Sequence, residues 1–253
     1  MDAPARGALR DAAMARGLNV LWAIPRKVVL DALPPEGFMP ARDSLNPGGG
    51  LPEAWETVLL LGNAGPAYWE MFRAGPHTAA SEPLDAHTAA VVEELLALLR
   101  ADDPGAEVRF PFRHRWQIYN FQGLAGLVLR EDPAPCGVSV HPEHGPWFAW
   151  RAALFTQRVW PPTEPLTSPC GACAQAHGTP PCQRACPVEA ASPAGFRWRV
   201  CAEERLRPGG GCAQTCPARL ACPVGRPMRY PPDALRHHYQ ASLRMLRGFM
   251  PGG

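Results

Sequence analysis

Residues 170–190 read CGACAQAHGTPPCQRACPVEA. Four of the chain's nine cysteines lie in this stretch, and the last of the four is followed directly by proline. Moving outward, Cys201, Cys212, Cys216 and Cys222 follow, so only Cys136 stands apart. The whole pattern is C170-x2-C173-x8-C182-x3-C186-P, then C201, then C212-x3-C216-P-x4-C222-P. It admits three chemistries: disulfides, structural zinc, or a carrier of electrons.

Disulfides fit worst. A chain of 253 residues buries a sizeable core without covalent staples. Its start, MDAPARGALRDAAMARG, lacks the basic-then-apolar pattern of a secretory leader, and no apolar run reaches membrane-spanning length. The expected location is cytoplasmic, where thiols stay reduced. Crowding eight cysteines into one fifth of the chain points to metal ligation.

Zinc takes four thiolates in sites built from C-x2-C pairs, and eight cysteines would make two such sites. Only one true C-x2-C pair is present, Cys170 and Cys173, and three cysteines precede proline. Bacterial ferredoxins ligate cubane clusters with C-x2-C-x2-C-x3-C-P, the fourth cysteine serving the other cluster. CGAC matches the opening of that motif and CQRACP its close, with eight residues where the compact motif has two. Two [4Fe–4S] clusters are therefore the favoured reading, and zinc stays open as the rival. His177, in the inserted loop, reads as an exposed histidine, and Cys136 as a small buried apolar residue.

The formal charge of +2 predicts neither nucleic acid nor a membrane surface as partner. Lys27 is the only lysine, and the Arg, Ala, Pro and Gly richness reads as compositional bias. Hydrophobic patterning predicts an amphipathic helix over 2–17 with Asp2 as N-cap, buried strands at 18–24 and 57–62, and a helix at 85–101. Short strands are expected near 107–112, 124–130, 136–141 and 151–159, with a Pro/Gly-rich loop over 31–54. WPPTEPLTSP (160–169) reads as a joint into the cysteine region, which a helix at 233–249, capped by Asp233, closes. These elements predict an α+β chain with a division at 160: 1–160, then 161–253. GGGLPE (48–53) and GNAG (62–65) lack phosphate-loop spacing.

GVSVHPEHGPWFAWRAALF (137–155) and the cysteine block ending RLACPVG resemble the iron–sulfur corrinoid-reductase superfamily, which includes epoxyqueuosine reductase and is related to CblC-type cobalamin proteins. The layout, with GNAGPAYW and a closing helix, is also similar to short bacterial proteins labelled ferredoxins, and the likeness spans most of 55–245. The resemblance implies a flavin-reductase-like α/β sandwich with a C-terminal ferredoxin-like double-cluster module. It implies Cys170, Cys173, Cys182 and Cys222 as one ligand set, and Cys186, Cys201, Cys212 and Cys216 as the other. It further implies a cobalamin site involving His141, Glu143 and Trp147, for which a packed turn is the equal alternative. RHRW (113–116) brings no acidic residue corresponding to the reductase's catalytic Asp, so chemistry on queuosine is not expected. The expected function is a cobalamin-binding or cobalamin-processing reductase, fed by an electron-donor protein of flavodoxin or ferredoxin reductase type. The alternatives are a non-catalytic ferredoxin-type carrier and a zinc-stabilised binding module.

Overall fold

The computed structural model describes residues 3–33, 51–112, 121–130 and 134–250. They form two compact units, one drawn from 1–130 with 148–166, the other from 131–147 with 167–253. Residues 131–147, which the sequence reading places before its division at 160, group with the cysteines. Asp2, RHRW and most of the 31–54 loop lie outside the described residues.

The first unit is built on a four-stranded antiparallel sheet, ordered β1-β2-β5-β3, from β1 (Val20–Pro25), β2 (Thr57–Ala64), β3 (Glu107–Arg109) and β5 (Phe148–Thr156). All eight residues of β2 are buried. That explains why TVLLLG is a continuous apolar run and not an alternating one. Full burial of Leu59, Leu60 and Leu61 contributes about 1.5–3 kcal/mol each before conformational entropy is subtracted. A register shift at Leu61/Gly62 marks a bulge. A Cβ on Gly62 would lie 2.8 Å from the Ala149 carbonyl oxygen, so only glycine fits the close strand approach.

Helix α1 (Ala3–Ala15) buries Leu9 and Ala13, four residues apart on one face. Two further helices were not foreseen, α2 (Arg26–Ala32) and α3 (Ala67–Ala74). Helix α4 (Pro83–Arg100) turns Val91, Val92, Leu95, Leu96 and Leu99 into the core, whereas Leu98 is half exposed. The strand expected at 124–130 is instead helix α5 (Phe121–Gly126) followed by the two-residue β4 (Leu129–Arg130). Leu166, in β6 (Leu166–Thr167), ends the unit with its N–H donating to the Val128 carbonyl.

Apart from one long closing helix, the second unit has short elements and a small apolar cluster of Ala134, Cys136, Val140, Ala191, Ala218 and Cys222. It comprises α6 (Cys170–His177), α7 (Pro181–Arg184), the hairpin β7 (Ala191–Ser192) and β8 (Gly195–Phe196), α8 (Trp198–Leu206), α9 (Pro217–Leu220) and α10 (Pro232–Phe249). The expected strand at 136–141 is absent. Gly137 has φ +72° and the segment turns, ending in a bridge between His141 and Gly145. Nor is Asp233 the cap of α10: Pro231 occupies that position, and Asp233 accepts the Ala234 N–H from within the first turn. The chain is thus α+β, as its composition of elements predicts. No helix among the described residues is long and apolar enough to cross a membrane.

Candidate metal centre

Local helix geometry gathers the cysteines. Cys170 and Cys173 sit one turn apart on α6, which stops at Gly178 with φ +64°. Pro181 opens α7, the turn that carries Cys182, and α8 carries Cys201. The proline after Cys216 has a structural use: Pro217 takes the first position of α9, which leaves Cys216 as N-cap. Its sulfur accepts the Arg219 N–H at 3.4 Å, three residues on. The Cys186 sulfur likewise accepts the Ala190 N–H at 3.2 Å.

Two cavities result. Cys170, Cys173, Cys182 and Cys222 line the first, a small cleft whose other walls are prolines, valines and Cys136. The second, about 780 Å³, is lined by Cys186, Cys201, Cys212 and Cys216, together with Glu204, Arg205 and Tyr239. Four of the eight clustered cysteines line each cavity. Cys136 lines both cavities, a position its distance in sequence gave no sign of. His177 is exposed at the end of α6. Among the described residues no three His, Cys, Asp or Glu side chains converge as they would on a single metal ion.

Without a cation the thiols disfavour ionisation. Burial, then the neighbouring Cys222, Cys170 and Cys173, push Cys182 up to about 11. Cys201 rises to about 11 through burial and Cys216, against the lowering effect of Arg205. Cys136 rises to about 12, chiefly by burial and then by Cys182. A bound metal inverts this balance, because it ligates thiolates and carries the positive charge they lack. Four thiols around one apolar cavity would therefore be held as thiolates only by a bound cation, which a cluster core or a zinc ion could supply.

The turn at 141–147 packs against the end of the cysteine block. His141 and Gly145 exchange both backbone hydrogen bonds, at 3.0 and 2.9 Å. The His141 Nδ1 accepts the N–H groups of Glu143 and His144 at 3.1 and 3.2 Å. Gly145 and Gly225 meet backbone to backbone: a Cβ on Gly145 would stand 2.2 Å from the Val224 oxygen, and one on Gly225 2.1 Å from the His144 oxygen. Both adopt positive φ, +61° and +66°. HPEHGPW and CPVG, the two passages that carry the resemblance, are thus pressed together three residues beyond Cys222. Glu143 is exposed, His141 buried and Trp147 fully buried, and none of the three lines either cysteine cavity.

No protein-family model and no curated protein sequence matches the chain. Solved structures do resemble it in fold. An epoxyqueuosine reductase with an epoxyqueuosine-modified tRNA-Tyr stem loop matches at TM-score 0.57 and 14% identity, over 92% of this chain and 68% of that one. The reductase from Streptococcus thermophilus matches at 0.55 and 13%, over 89% and 67%. The B12-trafficking protein CblC of C. elegans matches at 0.54 and 13%, over 99% and 98%. At such identities the likeness establishes the fold: the chain has the architecture shared by epoxyqueuosine reductase and CblC.

Proposed function

We propose that the chain is an iron–sulfur redox protein holding two [4Fe–4S] clusters in a ferredoxin-like module, joined to a flavin-reductase-like sandwich, and that it passes electrons to a corrinoid. The observation that carries this reading is the division of eight cysteines, four to each of two cavities. Cys170, Cys173, Cys182 and Cys222 would hold one cluster, and Cys186, Cys201, Cys212 and Cys216 the other. Such clusters are one-electron carriers, and a low-potential centre is a suitable donor to cobalt. The chain's own contribution is to keep the sulfurs oriented by N–H donors and the first cavity dry. Structural likeness to a reductase and to a B12-trafficking protein supports the corrinoid part. An electron-donor protein of flavodoxin or ferredoxin reductase type would supply the electrons.

Anaerobic purification, with the absorption spectrum and iron, sulfide and zinc measured on one sample, tests the reading. About eight irons and eight sulfides per chain, as two cubanes require, are expected. Stoichiometric zinc and no colour would refute it. Titration with cobalamin then separates a corrinoid reductase, which shifts the cobalamin spectrum, from a ferredoxin-type carrier, which does not.

A further inference from the structure

Residues 167–253 contain eleven arginines and four acidic residues, although the whole chain carries only +2. Some of these arginines are used internally: Arg219 donates to the Pro146 carbonyl and Arg205 to Ser242. Arg184 and Arg197 are placed differently. Both line an open groove of about 1220 Å³ whose wall includes Cys186. Cys186 also lines the second cysteine cavity, so it joins that cavity to the groove.

The two guanidinium groups are held by neutral partners. Arg184 donates to the Thr179 carbonyl, and Arg197 to the Glu189 carbonyl through Nε and Nη2, at 3.2 and 2.7 Å. Carbonyls fix their direction without cancelling their charge, and among the described residues neither forms an ion pair. Beside them Trp198 is 46% exposed and Phe196 36% exposed, and the Arg199 guanidinium lies 5.2 Å from the Trp198 ring. Large exposed aromatics ringed by arginine are the composition of a protein-contact surface.

We propose that this groove is the docking site of an acidic one-electron carrier protein, which delivers its electron on the Cys186 side of the second cavity; the proposal rests on the iron–sulfur reading above. The carrier is oxidised by one electron and the cluster reduced by one, and no bond forms or breaks. Such encounters use small interfaces, and opposite charge governs their rate. A polyanion such as a nucleic acid would also be drawn to arginine. Glu189 on the same groove opposes a uniform phosphate backbone and suits a protein face of mixed charge.

The test uses the full chain, with iron and sulfide measured on every sample, and a reduced acidic flavodoxin as probe. Cluster bleaching is followed by stopped flow across ionic strength. The Arg184→Gln/Arg197→Gln protein should lose about ten-fold in second-order rate at low salt and show a flatter salt dependence, with reduction by dithionite unchanged. Arg199→Glu, at an exposed position with no hydrogen bond among the described residues, should slow the reaction several-fold even if the double variant folds poorly. Full iron with unchanged flavodoxin rates in both proteins overturns the docking site alone. Lost binding of a tRNA stem loop with unchanged flavodoxin rates overturns it in favour of nucleic acid. Wild-type protein without iron or sulfide refutes the iron–sulfur reading and the docking site with it.

Discussion

The Arg219 guanidinium stacks 4.7 Å from the centre of the Trp147 ring. It also lies 5.2 Å from Tyr230 and donates through Nε and Nη2 to the Pro146 carbonyl. Arg219 is three residues from Cys216 and three from Cys222, one in each ligand set. One side chain therefore ties the 141–147 turn to the segment that would serve both clusters. Trp147, fully buried, acts here as a packing surface for that guanidinium.

Arg219→Ala should cost about 2–4 kcal/mol, since it removes a desolvated cation–π contact and leaves a carbonyl without its donors. Arg219→Lys should recover less than half, because an ammonium neither stacks nor forks. Chemical denaturation measures both. If the lysine protein matches wild type, the planar stack is not what holds the turn.

Gly145→Ala should destabilise the second unit by about 2–4 kcal/mol, combining a left-handed φ with a Cβ driven into a backbone oxygen. Gly178, also left-handed, has nothing within 4 Å of its would-be Cβ. Gly178→Ala should therefore cost only the backbone term, about 1 kcal/mol. Equal losses would mean that the contact with Val224 is loose enough to open.

These glycines show what the sequence made legible. CQRACP and CPVG marked the cysteine block out as a structured segment because proline and glycine after cysteine have specific backbone uses. The sheet was readable at TVLLLG, whose apolar run matches burial on both faces. Residues 136–141 misled because CGVSV alternates like a strand, while Gly137 at positive φ and the His141–Gly145 bridge make it turn. Helix α3 was missed because it begins in GPAYW, where glycine and proline read as a loop. No spacing could reveal Cys136 between the cavities, since tertiary packing alone brings it there.

Cys136→Ala should leave iron at its wild-type level, whereas Cys186→Ser should lose up to four of about eight irons. Cys136 packs beside Val140, Ala191 and Ala218 and replacing it removes only a small buried group. Loss of iron in Cys136→Ala with retention in Cys186→Ser would reassign the ligands.

Burial, with the His144 ring stacked 4.2 Å away, lowers His141 to about 4. Its Nδ1 must stay unprotonated to accept two backbone N–H groups. The unfolded chain takes up the proton near pH 6.5 and the folded chain only near 4, so the unfolded state binds more protons between those values. Stability should therefore fall as pH drops from about 6.5 to 4, by about 1–3 kcal/mol, and level off below. His141→Asn keeps an acceptor oxygen near the Nδ1 position without titrating. Its stability should be lower at neutral pH but flatter across this window, and an unchanged slope would assign the effect to His87 or His144.

The two cavities differ in polarity, and that difference should set their potentials apart. Prolines and valines surround the first set of cysteines. Tyr239, on α10, lines the second cavity beside Cys216. Burial and the adjacent Cys216 raise its phenol above the usual tyrosine range, so the hydroxyl stays protonated and able to donate to a ligating sulfur. Arg205 fixes it, with its guanidinium 4.8 Å over the ring and Nη1 anchored on the Ser242 hydroxyl at 2.9 Å. A donor to a ligating sulfur stabilises the more negative, reduced cluster and so raises its potential. The second cluster should accordingly be the easier to reduce. Tyr239→Phe removes the donor but keeps the ring, and should lower that midpoint by about 60 mV, the one-electron equivalent of ~1.4 kcal/mol. An EPR-monitored titration of the full-length protein resolves the two midpoints. A shift in the first midpoint, or in neither with iron content intact, would show that the phenol does not reach the cluster's sulfur.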